Sequence, residues 1–435
     1  MSASLETTSK LERRLTVQVP LEPIKEEVAK RVAHLAKTLK VPGFREGKAP
    51  ASLIQQQRGQ QVYDEVFADN IEQSFKDAVA EHKLRVAGLP KIEHNFGGAT
   101  AEFIEYVATF EIFPEIVIGD LSKTKVERPV VEVSDADVKK TVDVLVRQRA
   151  TYEAVNRAAK LGDMVSIVLS ATLDGEEIES TDGQSIDLVL GEGGRVAEVD
   201  NNLLGTEPGS NKSFDITYPA DHGSAELAGK TVKYEVTVNT VSEPHFPEID
   251  DEFARSLGVE NGSVEKMYAD IKESLNQEVA KRVRARIKEQ AFLALLASTE
   301  VELPQAAITA EIEQHLQKTQ DDLANAGANL SEIKLERHMF AEQAERGLKL
   351  RLILIELVNK NGLLANTEQI RAAVDQFAQS YEKPEDVVRW YYADKERLTE
   401  PATLATEENV VAWVLQHAEQ VDKAVDFDNL MGRRS

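Results

Sequence analysis

The segment Gly43-Phe44-Arg45-Glu46-Gly47-Lys48-Ala49-Pro50 places an aromatic ring and two cations within a few residues of each other. Its glycines and proline predict a tight turn, in which a side chain as large as Phe44 is difficult to bury. An exposed ring flanked by cations can bind RNA phosphates and a protein surface together. The alternative is a purely structural turn whose phenylalanine packs back on its own domain.

Other residue types in the chain offer little chemistry. There is no cysteine, which excludes disulfides, thiolate nucleophiles and Cys-ligated zinc. The eight histidines are scattered and lack the spacing of metal ligands. Asp250-Asp251-Glu252 could hold a cation, but carboxylates that open a helix are the simpler interpretation. Gly191-Glu192-Gly193-Gly194 lacks the lysine or full glycine pattern of a phosphate-binding loop. We therefore expect no metal, no nucleotide and no other cofactor.

Charge is distributed unevenly along the 435 residues, a length that predicts two to four domains. Residues 1–60 hold 11 Lys and Arg against 6 Asp and Glu, a net +5, so with a total of −24 the remainder carries −29. A basic end on an acidic body predicts one region that meets a polyanion, although chance could also produce the asymmetry. The N-terminus lacks the apolar core of a secretion signal, and no apolar run approaches the ~20 residues that a bilayer requires. We expect a cytoplasmic protein without a membrane partner.

The elements around the loop predict an α+β multidomain protein. Residues 11–19 alternate like a strand, and the stretches Leu21–Leu39 and Ala51–Ala80, on either side of the loop, have helical spacing. Strand patterns follow at Lys91–Phe96 and Glu102–Phe113. We assign this α+β head to residues 1–115.

Three further regions follow the head. Residues 116–150 form a connector with a helix opened by Ser134. Residues 151–243 change to short strands with turn signals, among which Asp174-Gly175 strongly predicts a hairpin. Residues 244–435 show helical periodicity and form an all-α domain.

A long helix in this last region can be capped by Ser263. Its apolar residues recur every four positions, so the stripe winds around the helix and should either meet more than one neighbour or leave part of itself exposed. These residues are Met267, Ile271, Leu275, Val279, Val283 and Ile287. Leu348–Val358 has the composition of a buried strand, but its place within the long pattern of Ser331–Asn361 favours a helix. Further helices are predicted at Glu368–Tyr381, Pro384–Tyr392 and Thr406–Val425.

The loop resembles the ribosome-docking signature of the trigger factor family. All of its fixed positions are present, namely Gly43, Phe44, Arg45, Gly47, Lys48 and Pro50. The order of an α+β head, an FKBP-like insert and a helical C-terminal part is also similar to that family. The resemblance implies docking at the tunnel exit of the large ribosomal subunit, on both protein and rRNA. It also implies binding of nascent and unfolded polypeptides, and a weak homodimer away from the ribosome.

Residues 151–243 resemble an FKBP-type prolyl isomerase domain, in which aromatic side chains enclose the prolyl ring. The resemblance rests on Asp163, the Asp174-Gly175 hairpin, the turn glycines and Tyr234 on the last strand. It implies Val196 and Tyr234 as catalytic residues. Four positions of the family's pocket have lost their aromatic side chains, namely Leu169, Ile178, Val199 and His222. We therefore expect weak isomerase activity.

Three functions follow from these observations. The first is an ATP-independent chaperone at the ribosome, whose winding aliphatic stripes over residues 263–358 would contact client chains. The second is an enzyme that is primarily a prolyl isomerase, which the missing aromatics disfavour. The third is a ribosome assembly or hibernation factor that uses the same loop. We predict the first, because the resemblance covers the whole chain.

Overall fold

The computed structural model describes residues 2–39, 44, 50–95, 102–181, 183–192, 197–219, 227–327 and 333–432. The chain forms two compact units, each built from two stretches of sequence. One unit combines Met1–Pro129 with Arg284–Lys423, and the other combines Val130–Val283 with Ala424–Ser435.

The N-terminal part of the first unit is a four-stranded antiparallel sheet with one face covered by two helices. The elements are β1 (Ser2–Thr7), β2 (Glu12–Pro20), α1 (Leu21–Thr38), α2 (Ala51–Glu81), β3 (Val86–Asn95) and β4 (Phe103–Ile112). The strand order is β1-β2-β4-β3. The alternation in β2 buries Leu15, Val17 and Val19 against Ile24 and Val28 of α1. The predicted helices on either side of the loop are confirmed.

The next elements are strand β5 (Lys125–Val130) and helix α3 (Asp135–Gln148). Ser134 opens α3 as predicted, because its hydroxyl accepts from the Asp137 N–H at 3.3 Å. The Asp137 carboxylate in turn accepts from the Ser134 N–H at 3.0 Å, which completes a capping box.

A mostly β domain follows within the second unit. Its elements are β6 (Thr151–Val155), β7 (Met164–Leu173), β8 (Glu176–Ser180), β9 (Ile186–Val189), α4 (Ala197–Leu203), β10 (Asn211–Thr217) and β11 (Thr231–His245). The main strand order is β10-β11-β7-β8, with β6 paired to β11 and β9 paired to β7. Asp174 and Gly175 both adopt positive φ, 53° and 89°, between β7 and β8, which confirms the predicted hairpin.

The rest of the chain is mainly helical. The elements are α5 (Asp251–Ser256), α6 (Val264–Ser298), α7 (Gln305–Asn325), α8 (His338–Asn361), α9 (Thr367–Ala378), α10 (Pro384–Tyr392), a 3₁₀ helix (Lys395–Leu398), α11 (Thr399–His417), β12 (Glu419–Ala424) and α12 (Phe427–Met431). The helical assignment of Leu348–Val358 is confirmed, since these residues lie within α8. Ser263 accepts from the Lys266 N–H at 3.2 Å and caps α6.

The start of α5 and the end of α11 can be compared with the predictions from the sequence. Asp250 caps α5 by accepting from the N–H groups of Glu252 and Phe253, at 3.0 and 2.9 Å, so the acidic run opens a helix. The helix predicted to reach Val425 is wrong in its last part, because α11 ends at His417 and β12 pairs with β5. The pattern of apolar residues near Val425 contains no information about β5, the strand almost 300 residues earlier with which β12 pairs.

Candidate functional site

The helical part of the first unit contains an open groove of about 580 Å³. Its walls come from α8, the segment after α8, the 3₁₀ helix and α11. The large apolar residues that line it are Leu354, Ile355, Val358, Leu364, Leu398 and Val410. Ile355 and Leu364 remain 42% and 69% exposed, so the apolar lining is accessible to a ligand chain. Lys395 and Glu407 add charge to the same lining.

A second exposed apolar surface lies on α9 and α10. Phe377 stacks on Tyr391 with ring centres 6.1 Å apart, and Trp390 meets Tyr391 edge to face at 5.1 Å. The Arg397 guanidinium lies 4.2 Å from the centre of the Trp390 ring and donates to its carbonyl oxygen at 2.8 Å. These contacts hold Trp390 in place while 54% of the residue remains exposed.

Neither surface was identified from the sequence. Three consecutive aromatic residues, Trp390-Tyr391-Tyr392, were an available signal, since aromatic residues make up only 6% of the chain. The groove had no local signal, because its lining comes from two separate stretches of sequence, 354–364 and 395–410.

Half of the α6 stripe expected to contact clients is buried, and Ile271, Val283 and Ile287 are only partly exposed. Met267 packs with Phe253 in one core of the second unit, whereas Leu275 and Val279 pack with Phe427 in another. The stripe therefore meets more than one neighbour, the first of the two predicted alternatives. In α8 the residues Leu348, Leu352, Ile353 and Leu357 form the core of the helical part of the first unit. The expectation that this stripe is an open client surface is wrong for these residues.

The predicted isomerase residues that the structure describes lie in the β domain. Tyr234 on β11, Leu169 on β7 and Val199 on α4 belong to one hydrophobic core, and Leu169 and Val199 are fully buried. Ile178 lies on β8 and is 45% exposed. Val196 and His222 lie outside the described residues.

Tyr234 is held by a hydrogen bond and a ring contact. Its hydroxyl shares a hydrogen bond of 2.7 Å with the Tyr218 hydroxyl, and its ring stacks on Phe214 at 5.7 Å. Tyr234 is only 4% exposed, and it lies in the core of the β domain directly opposite Phe214 in the pairing of β10 with β11. Its predicted catalytic role stays a prediction.

A buried ion pair fixes one end of the same domain. Asp163, 2% exposed, accepts from Arg157 at 2.5 and 3.1 Å and from the Lys160 N–H at 2.8 Å. Burial alone would raise the pKa of Asp163, but the hydrogen bonds from Arg157 and Lys160 outweigh burial and lower the pKa. Arg157 also donates to Glu243 of β11 at 3.1 Å. This network is structural, since it joins the segment after β6 to β11.

The predicted ribosome-binding residues lie between α1 and α2 in the sequence. Phe44 is 43% exposed, and Pro50 is the N-cap residue of α2. Gly43, Arg45, Gly47 and Lys48 lie outside the described residues. Within the described part of the chain, no cluster of His, Asp and Glu could hold a metal ion, and no helix is long and apolar enough to cross a membrane.

Comparison with family models matches three segments of the chain. Residues 1–145 match "Bacterial trigger factor protein (TF)", and residues 263–416 match the C-terminus of the same protein. Residues 155–239 match "FKBP-type peptidyl-prolyl cis-trans isomerase".

Similar proteins cover the whole chain. The chain is 56% identical over 432 residues to the trigger factor of Methylobacillus flagellatus, which spans 99% of this chain and 100% of that protein. It is 42% identical over 446 residues to the trigger factor of Herminiimonas arsenicoxydans, with full coverage of both. A solved structure described as "Promiscuous Substrate Recognition in Folding and Assembly Activities of the Trigger Factor Chaperone" covers 96% of this chain and 100% of its own. Its TM-score of 0.51 at 20% identity supports the fold alone.

Proposed function

This chain belongs to the bacterial trigger factor family, and we propose that it docks at the tunnel exit of the large ribosomal subunit and shields nascent chains there without ATP. It is a chaperone with an FKBP-type domain. The observation that carries the proposed client binding is the groove lined by Ile355 and Leu364, together with the neighbouring exposed face of Trp390.

These surfaces suit clients of many sequences. The groove is open, so an extended apolar segment can enter and leave without unfolding any element of the chaperone. Contact with a few part-exposed apolar side chains removes little area from water, which gives weak and rapidly reversible binding. The strongly acidic composition keeps a protein with such exposed surfaces soluble.

Docking is proposed to use the loop from Gly43 to Pro50. Phe44 would contact ribosomal protein, while Arg45 and Lys48 would contact rRNA phosphates. Support comes from the complete family signature and from the partial exposure of Phe44. The combined change F44A, R45A and K48A is expected to abolish co-sedimentation with ribosomes while the circular dichroism spectrum stays unchanged. Co-sedimentation like that of the unchanged protein would contradict the proposal.

Isomerase activity is proposed to be a minor part of the function. The pocket positions Leu169, Ile178, Val199 and His222 lack the aromatic rings that pack against a prolyl ring. The fold of the domain is intact, as the family match and the paired β7, β10 and β11 indicate. The domain would then act mainly as a further surface of the chaperone.

We also propose a cytoplasmic location at the ribosome and weak self-association away from it. Family membership supports both, and the exposed Leu364 and Trp390 give apolar area that a second copy could cover. Sedimentation velocity over a range of concentrations tests the dimer. A sedimentation coefficient that does not change with concentration would contradict it.

A further inference from the structure

The helical hairpin of α1 and α2 changes its charge along its length. Residues 28–63, around the closed end of the hairpin, contain 7 Lys and Arg and a single acidic residue, Glu46. Residues 64–81, the rest of α2, contain 6 Asp and Glu and a single Lys76. The charge changes sign within one continuous helix, α2, between Arg58 and Asp64. These two residues are separated by about 9 Å along the helix axis.

Cations near the loop and cations farther from it also differ in whether they form ion pairs. The cations of α1 that lie farther from the loop are paired, including Lys30 and Arg31 of the seven counted above. Lys25 and Lys30 each lie 3.9 Å from a glutamate of their own helix, and Arg31 binds Asp69 of α2 at 2.8 Å. Near the closed end, Lys37 and Arg58 are exposed and pair with no carboxylate among the residues that the structure describes. Arg58 instead donates to the Gln61 amide at 2.7 Å. The two cations are therefore available to an external anion.

The side chains around these cations are amides rather than apolar groups. Gln55, Gln56 and Gln57 are exposed on the first turns of α2. In the described parts of residues 30–39 and 50–61, no large apolar side chain is exposed. The buried core of a protein interface is enriched in apolar side chains, whereas phosphates, riboses and base edges accept and donate hydrogen bonds to amides and cations.

We propose that the RNA-binding surface extends from the loop onto the hairpin, with Lys37 and Arg58 each on an RNA phosphate, and ends where α2 becomes acidic at Asp64. The extension rests on the proposed docking at the ribosome. RNA should therefore contact only the part of the hairpin next to the loop, because the carboxylates from Asp64 onward repel the phosphate backbone.

The full-length double variant K37Q/R58Q tests the extension against purified ribosomes at 50–200 mM salt. Loss of two phosphate contacts should raise Kd about tenfold at 0.1 M salt and reduce the slope of log K against log salt by about two. The conservative variant K37R/R58K should retain the slope. A matched control, K25Q/K76Q, removes two exposed lysines near the open end and should leave both quantities unchanged.

The outcomes separate the extension from docking itself. If K37Q/R58Q binds like the unchanged protein while F44A/R45A/K48A does not bind, the extension is wrong and docking stands. If both variants bind like the unchanged protein, docking through the loop is wrong as well. A higher Kd with an unchanged salt slope would point to a ribosomal protein instead of RNA, and would also overturn the extension.

Discussion

A Cβ built on Gly119 would lie 1.8 Å from the carbonyl oxygen of Ser298, at the C-terminal end of α6. The Gly119 N–H also donates to the Thr299 hydroxyl at 3.2 Å. On either side, Ile116 and Leu121 are buried in the core of the helical part of the first unit. Glycine is therefore required at position 119 by the close approach of two backbone segments.

The variant Gly119→Ala should be destabilised by about 1–3 kcal/mol, because an overpacked contact with backbone forces the segment away from α6. The urea midpoint of the transition that includes α6 would measure the effect. Gly347→Ala is the matched control, since nothing lies within 4 Å of its added Cβ in α8. That change should stabilise by about 0.5–1 kcal/mol. Equal midpoints for the two variants would contradict the packing described for Gly119.

Replacing Arg157 with Met should destabilise the β domain by about 2–3 kcal/mol. The change leaves the Asp163 carboxylate buried without its partner, and the effect is reduced because Arg157 is partly exposed. The pKa of Asp163 is lower in the folded state than in the unfolded state, where it is about 4. Its charged carboxylate therefore stabilises the fold above about pH 4, and this contribution is lost as pH falls through the pKa of the folded state. In the variant, burial without the guanidinium raises the pKa of Asp163, so its charged carboxylate no longer stabilises the fold at neutral pH. The loss of stability relative to the unchanged protein should therefore be largest near neutral pH and should shrink as pH falls.

Hydrogen exchange of the β7 amides is the suitable measurement, because both tryptophans, Trp390 and Trp413, lie outside the β domain. The control Lys233→Met removes an exposed pair with Glu235 and should leave the protection of β7 unchanged. Unchanged β7 protection in Arg157→Met between pH 4 and 7 would refute the role given to the ion pair.

Client binding should depend on the groove. Changing Ile355 and Leu364 to Ser should weaken binding of a denatured client by about tenfold, since two part-exposed aliphatic side chains are lost from the contact. Suppression of client aggregation as a function of chaperone concentration measures the change. The double change of Val144 and Val117 to Ser is a matched control, because these residues are 42% and 76% exposed, close to Ile355 and Leu364, but do not line the groove. An equal loss for the control would argue against the groove as the client site.

Isomerase activity on a short X-Pro peptide should be at least about a hundredfold below that of an FKBP-type domain with a complete aromatic lining. Each aromatic contact contributes ~0.5–1.5 kcal/mol, and about 1.4 kcal/mol is tenfold in rate. A protease-coupled assay or NMR exchange would measure it, with the complete domain as the positive control. Activity equal to that control would show that other residues, such as Tyr218 and Tyr234, form a working pocket.

The sequence predicts those features that depend on residues close together in the chain. Asp174-Gly175 specifies a hairpin because two successive residues must adopt positive φ, and Ser134 specifies a helix start through a bond three residues away. The strand β12 and the contact of Gly119 with Ser298 were not predictable, because both depend on segments far apart in sequence. The client groove was missed for the same reason. The exposed aromatic face of α10 could have been predicted from Trp390-Tyr391-Tyr392.

The most direct test of the proposed chaperone function is photo-crosslinking from position 355 on ribosomes that carry stalled nascent chains. We predict crosslinks to a nascent chain with an apolar segment outside the tunnel. They should be lost when that segment is made polar, or when F44A, R45A and K48A are introduced. A protein that binds idle and translating ribosomes equally and gives no crosslink to the apolar nascent chain would contradict this function. That result would favour a ribosome assembly or hibernation factor instead.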